Sequence, residues 1–274
     1  MSIKAYLPRM TRSQLMLVMT GGFATIAGSV LAAFVTILGG EDPDRQAEFA
    51  RHLLTASAMS APGAFVMAKL FLPESESDLV DIDTDPAPLV QTTGVLDAVS
   101  RGAADGLKLA LNVAAMLVAF VAILAMLDWP LAELTGTTLG GWMCGVLGVE
   151  TLSIAALLGV VFQPVAWGMG IRGDDAALVG SLLGTSVIAT EFVAYLRLGD
   201  VIAAGEISAR SAAITTYALC GFANIPSIAI QIGGLTAIAP EKRDEIVQLA
   251  PRAMIAGAMT CWMTGCIASL FIPV

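Results

Sequence analysis

The chain has 274 residues, 57% of them hydrophobic and 14% charged, with a mean hydropathy of +0.80. Soluble domains usually carry about 45–50% apolar and about 25% charged residues, so an ordinary water-soluble globule is excluded. The net charge of −9, from 14 basic and 23 acidic residues, argues against nucleic acid as a partner, because phosphate recognition needs clustered Lys and Arg.

Lys4, Arg9 and Arg12 precede residues 13–40, a run of 28 residues without a charge. A signal-peptide core is only about 7–15 residues long, so the run predicts a membrane span and not a cleaved leader. A second span is expected over residues 53–72, with Lys69 snorkelling toward the interface. The acidic, proline-containing stretch at 73–88 reads as a loop. Residues 96–108 are amphipathic and predict a helix lying in the interface, leading into a third span at 109–127.

Beyond this point the pattern is less regular. Glu150 and the Gln163-Pro164 pair interrupt residues 139–171, which favours a broken or interfacial helix pair over one straight span. Residues 176–190 give only 15 uncharged positions before Glu191, punctuated by Gly180 and Gly184. They are too short to span and read as the start of a re-entrant hairpin at about 176–200, which is tolerated where broken backbone lines a cavity. Two spans close the chain, at 211–240 and 253–274. The basic residues ahead of the first span, and Lys242 and Arg243 after the penultimate one, predict a cytoplasmic N-terminus and an external C-terminus.

Little else suggests covalent chemistry. The single histidine, His52, leaves hydrolase triads and zinc sites without ligands. Cys144, Cys220, Cys261 and Cys266 lie in apolar stretches without a C-x-x-C spacing and are expected to be buried thiols. Trp129, Trp142, Trp167 and Trp262 suit belt or packing roles. No nucleophile–base pair and no phosphate loop can be assembled, so the chain is not expected to be an enzyme.

The informative feature is self-similarity. RSQLMLVMTGGFATIAGS, from Arg12 to Ser29, matches RSAAITTYALCGFANIPS, from Arg210 to Ser227. Gly22-Phe23-Ala24-Thr25-Ile26 thus pairs with Gly221-Phe222-Ala223-Asn224-Ile225, and each copy is followed downstream by an arginine (Arg51, Arg252) opening another apolar helix. With three crossings and a returning hairpin between them, the copies point in opposite directions. Inverted repeats with interrupted helices are an architecture of secondary transporters, in which a broken helix frees carbonyls for a cation and amides for a polar solute. Glu191 is the acid least easily explained as a loop charge. A carboxylate in a membrane costs at least about 2.5–3.5 kcal/mol on insertion scales, which makes it a functional candidate; the alternative is an interfacial acid capped by Arg197. Asn224 and Ser227 share a helical face, where helix–helix hydrogen bonding is the competing explanation.

GGFATIAGSV (21–30), HLLTASAMSAP (52–62), TEFVAYL (190–196), RSAAITTYALCGFAN (210–224) and RAMIAGAM (252–259) together resemble concentrative nucleoside transporters over nearly the whole chain. The resemblance implies a sodium- or proton-coupled nucleoside symporter, without a cofactor, that assembles as a homotrimer in the cytoplasmic membrane. It implies that Glu191, Asn224 and Ser227 bind ribose, with Phe222 beside the sugar and Thr190 in the hairpin motif. Ser29 would approach the nucleobase, and Thr25 and Ile26 would supply part of a sodium shell. Two residues depart from the family pattern: Thr190 stands where an asparagine is usual, and Ser186 where a lysine is common. The first hairpin and earlier spans of the family are not found, so the chain is expected to be the C-terminal half. A truncated, non-transporting remnant and a half needing a separately encoded N-terminal part stay open beside that reading.

The expected fold is therefore an all-α polytopic membrane protein, an inverted-repeat transporter fold with a re-entrant hairpin and interrupted helices. Residues 1–72 would form first-repeat helices; 73–128 a cytoplasmic loop, interfacial helix and scaffold span; and 129–274 the second repeat. The chain should be broken within residues 221–227, with Glu191 and Asn224 facing one cavity.

Overall fold

A computed structural model describes residues 6–75, 94–147, 149 and 151–273. Among these residues the regular structure is entirely helical. Most of the loop expected at 73–88, and Glu150, lie outside the described residues.

The chain enters helix α1 (Arg12–Ala24) through a capping box. The Thr11 hydroxyl accepts from Gln14 N, and the Gln14 side chain accepts from Thr11 N, both at 3.1 Å. The helix stops at Ala24 and resumes as α2 (Gly28–Gly39) after three non-helical residues, of which Thr25 and Ala27 are extended, so the first predicted span is interrupted. Gly40, at φ +62°, closes α2 in a conformation open to glycine. Asp42 caps α3 (Pro43–Phe71), where Pro43 sits in the first turn, as its missing N–H allows.

Helix α4 (Val95–Thr135) covers both the expected interfacial helix and the third span. The interfacial helix and third span are a single helix of 41 residues, about 60 Å at ~1.5 Å per residue. Residues 96–127 contain no proline, and a helix-interior glycine such as Gly102 or Gly106 costs only about 1 kcal/mol, too little to force a break.

The interrupted stretch at 139–171 is a helix pair, α5 (Thr138–Leu147) and α6 (Ile154–Gly168). Both Ser153 Oγ and the carboxylate of Asp128 on α4 serve the α6 N-terminus, accepting from Ala156 N at 3.0 Å and Ile154 N at 2.7 Å. A hairpin follows, α7 (Asp175–Ile188) and α8 (Glu191–Ala204). Here Gly180 and Gly184 do not break the backbone. A Cβ on Gly180 would lie 2.4 Å from the Gly159 carbonyl oxygen, so these glycines let α7 lie directly on α6. The break falls instead at Ala189–Thr190, the hairpin tip.

The predicted span at 211–240 is also two helices, α9 (Ala209–Ala218) and α10 (Ile225–Ile238), separated by residues 219–224. The last helix, α11 (Arg243–Ser269), begins ten residues earlier than expected. Asp244 and Glu245 in its first turn complement the helix dipole.

Two apolar clusters hold these parts together. One joins α2, α3 and α6–α9 around Phe34, Leu53, Met169 and Tyr195; the other joins α1, α10 and α11 around Met16, Phe23, Leu249 and Ala253. Trp129, Trp142 and Trp167 are exposed, whereas Trp262 packs edge-on against Phe162 at 5.5 Å between ring centres.

Candidate functional site

Three interruptions converge on one cavity. Its wall takes Gly22 and Phe23 from α1, Ala27 from the first break and Val30 from α2; Thr190, Glu191 and Phe192 come from the hairpin tip. Phe222 and Asn224 enter from the second break, and Pro226, Ser227, Ile230 and Gln231 from α10. The cavity holds about 530 Å³, within the range of small-molecule pockets.

Its polar centre is built from two helix N-termini. Thr190 caps α8 and its hydroxyl accepts from Val193 N at 3.4 Å, which leaves Glu191 as the first helical residue. Asn224 caps α10 and its Oδ1 accepts from Ser227 N at 2.8 Å. With the oxygen committed to the helix end, the amide nitrogen must point the other way, and Nδ2 donates to Glu191 Oε2 at 2.7 Å. Both side chains are buried. The carboxyl group therefore sits against the positive end of α8 and a fixed amide donor. An ionised carboxylate offers about four lone-pair positions, so one amide contact leaves acceptor capacity for further O–H or N–H donors.

Neighbouring aromatic residues lock α8 in place. One turn below Glu191, Tyr195 stacks on Phe34 of α2 at 4.0 Å between ring centres, and its hydroxyl donates to the Thr216 carbonyl of α9 at 2.7 Å. Arg197 does not cap Glu191. Its guanidinium donates to Thr185 Oγ1 at 3.3 Å on the other hairpin arm.

The first break has another character. Thr25 ends α1 in extended conformation and its hydroxyl donates to the Gly21 carbonyl at 2.9 Å, leaving its lone pairs available. Among the described residues, no backbone N–H donates to the Thr25 or Ile26 carbonyls. These are the hard oxygen donors that unwound backbone presents to alkali cations. The two breaks touch at Gly221, where a Cβ would lie 2.5 Å from Cys261 Sγ and 2.8 Å from the Phe23 carbonyl oxygen.

Thus Glu191, Thr190, Phe222, Asn224 and Ser227 share one wall, with Thr25 and Ile26 in the adjoining break. Ser29 stands apart: it is exposed on the first turn of α2, which lends Val30 to the wall. Sequence reasoning did not single out Gln231. The signal was present, because Asn224, Ser227 and Gln231 lie at i, i+3 and i+7 and so share a helical face.

Residues 52–269 match the family model described as Na+ dependent nucleoside transporter C-terminus. The chain belongs to this sodium-dependent nucleoside transporter family. Among its relatives, solute carrier family 28 member 3 of Mus musculus is 39% identical over 282 residues, covering 98% of this chain and 38% of the mouse protein. Sodium/nucleoside cotransporter 1 of Rattus norvegicus is 37% identical, covering 99% of this chain and 41% of the rat protein. The structure of CNTnw in an inward-facing substrate-bound state superposes with a TM-score of 0.78 at 37% identity, over 99% of this chain and 61% of that one. The chain thus spans about two fifths of the two mammalian nucleoside transporters and three fifths of the solved one. Its fold is the all-helical transporter fold of this family, which comprises transporters and not enzymes.

Proposed function

We propose that this chain takes part in cation-coupled symport of nucleosides across the cytoplasmic membrane, with sodium as the coupling ion. The observation that carries the reading is the 2.7 Å contact between Asn224 and Glu191, made where two interrupted elements meet in a solute-sized cavity. Membership in a family whose relatives include a sodium/nucleoside cotransporter supports it.

In this reading the ribose hydroxyls donate to the free lone pairs of Glu191, and the second Asn224 amide hydrogen and the Ser227 hydroxyl complete a polar clasp. Phe222 offers an apolar face to the sugar. Thr190 serves mainly as the α8 cap, fixing the carboxylate above the cavity. Ser29 approaches the nucleobase from α2. The Thr25 hydroxyl and the Thr25 and Ile26 carbonyls provide part of the sodium shell. Cation entry at the first break, beside its contact with the second at Gly221, orders the wall that the solute then meets. Differential affinity of this kind lets one ligand's gradient drive the other.

The hairpin is assigned as re-entrant: each of its helices has 14 residues, about 21 Å at ~1.5 Å per residue against a hydrocarbon core of about 30 Å. The Arg12–Ser29 and Arg210–Ser227 segments are assigned as an inverted repeat, supported by a helix break in each. The N-terminus is assigned to the cytoplasm and the C-terminus to the outside on the distribution of basic residues. A homotrimer completes the proposal, supported by the apolar side chains that α4 leaves exposed, among them Leu111, Val118 and Met126.

The test is uptake of radiolabelled uridine into vesicles containing the protein. An inward sodium gradient should accelerate uptake, and Glu191→Ala should abolish it. Uptake that ignores the gradient, or that survives in the variant, would contradict the reading.

A further inference from the structure

Gln231 has an unusual hydrogen-bonding position. It lines the cavity on α10, and its Nε2 donates across to the Met19 carbonyl of α1 at 2.9 Å. Gly22 makes room for the contact, since a Cβ there would lie 2.7 Å from that nitrogen. The carbonyl fixes the sense of the amide, because turning it over would set two acceptor oxygens against each other. Oε1 is therefore held in a set direction, and it is buried without a hydrogen-bond partner among the described residues.

A buried acceptor left unpaired is costly, and native proteins rarely leave one unless a ligand or water completes it. Gln231 lies on the face of α10 that carries Asn224 and Ser227, with Ser227 one turn away and Asn224 two. Along the helix this is about 6 Å from Ser227 and about 10 Å from Asn224, at ~1.5 Å per residue. A solute clasped at Glu191 and Asn224 would bring its far end, not its sugar, to Gln231.

We propose that Gln231 is a specificity residue of the cavity, whose Oε1 accepts a hydrogen bond from an N–H on the base of the bound nucleoside. This rests on the nucleoside reading given above. The Met19 anchor pre-orders the acceptor, so the side chain gives up little freedom when the solute arrives. A base edge without a donor leaves the amide oxygen unpaired, and that is the basis of the discrimination.

The test is equilibrium binding to the purified full chain, comparing uridine with 3-methyluridine, in which the base N–H is replaced. The unaltered chain should prefer uridine, and Gln231→Met, which keeps the volume and removes both polar atoms, should lower that preference about tenfold. The preference for uridine over 2′-deoxyuridine should stay unchanged in this variant, because it is set at the other end. A second variant, Gly22→Ala, displaces the amide without removing it and should erode the same preference to a smaller degree. If Gln231→Met weakens uridine and 3-methyluridine equally, the residue only braces α10 against α1 and the proposal is overturned while the nucleoside reading stands. If the unaltered chain binds no nucleoside at all, both fall together.

Discussion

The two helix breaks are related in sequence but differently finished. The first, residues 25–27, is short, and α2 resumes behind Ala27 without a side-chain cap. Among the described residues the Thr25 and Ile26 carbonyls accept no backbone N–H, and they lie beside the Thr25 hydroxyl, while the Ala27 carbonyl starts the α2 hydrogen bonds. The second, residues 219–224, is twice as long and ends on Asn224, which caps α10 and grips Glu191 with the same amide. One position in the repeat accounts for the contrast. Threonine at 25 turns its hydroxyl back to the Gly21 carbonyl and leaves the helix end uncapped, while asparagine at 224 gives an oxygen to the helix and a nitrogen to Glu191. The comparison teaches that a single side chain can decide whether a backbone interruption stays open or is capped and tied to a neighbouring element.

The largest effect should come from removing the group the second break holds. Glu191→Gln removes the charge but keeps the shape, and should lower uridine affinity about 100-fold, as expected for a lost charge-assisted hydrogen bond of up to about 3 kcal/mol; titration of the purified chain measures it. Gly221→Ala attacks the contact between the breaks. With a Cβ 2.5 Å from Cys261 Sγ and 2.8 Å from a backbone oxygen, overpacking should cost about 1–3 kcal/mol, read as a lower thermal midpoint. Asn224→Ser separates the two duties of that residue: a serine still caps α10, so the midpoint should barely move, whereas uridine affinity should fall about tenfold. Thr25→Val tests the first break alone. It should raise the sodium concentration needed for half-maximal uptake about fivefold and leave uridine affinity at saturating sodium unchanged.

The smallest effect serves as a control remote from both breaks. The Lys69 ammonium, together with the Thr11 hydroxyl, holds the Glu74 carboxyl below the usual carboxylate range, linking the start of α1 to the end of α3. A lowered value in the folded state stabilises above the unfolded value and is lost as pH falls through the folded one. The midpoint should therefore drop slightly in acid below about pH 4, and Glu74→Gln should remove that dependence without altering the sodium or uridine response.

Much of this arrangement was legible in the sequence because membrane physics leaves few options. Charge-free runs locate most of the helices, and the Gly-Phe-Ala repeat points to both breaks. The charge-free interval from 13 to 40 did not reveal its own interruption, since backbone breaks leave no trace in hydropathy. The hairpin is suggested by length, but its turn at Ala189–Thr190 is not: a glycine such as Gly180 or Gly184 in an apolar helix reads the same whether it breaks the chain or admits a neighbour. Helix α4 runs unbroken through the amphipathic stretch and the charge-free run, because neither proline nor a turn signal separates them. Glu191 and Asn224 were each visible as polar residues in apolar surroundings. Their partnership needed the Asn224 cap, whose Oδ1 accepts from Ser227 N and so turns the amide nitrogen toward the acid.

A double-mutant cycle on Glu191→Gln and Asn224→Ala, read by uridine binding, addresses that partnership most directly. If the amide acts through the carboxylate, the second substitution should cost little once the first is present, giving a coupling of about 1–3 kcal/mol. Losses that simply add, within about 0.5 kcal/mol, would mean that the two side chains act independently, and the account of a clasp built from two helix ends would be wrong.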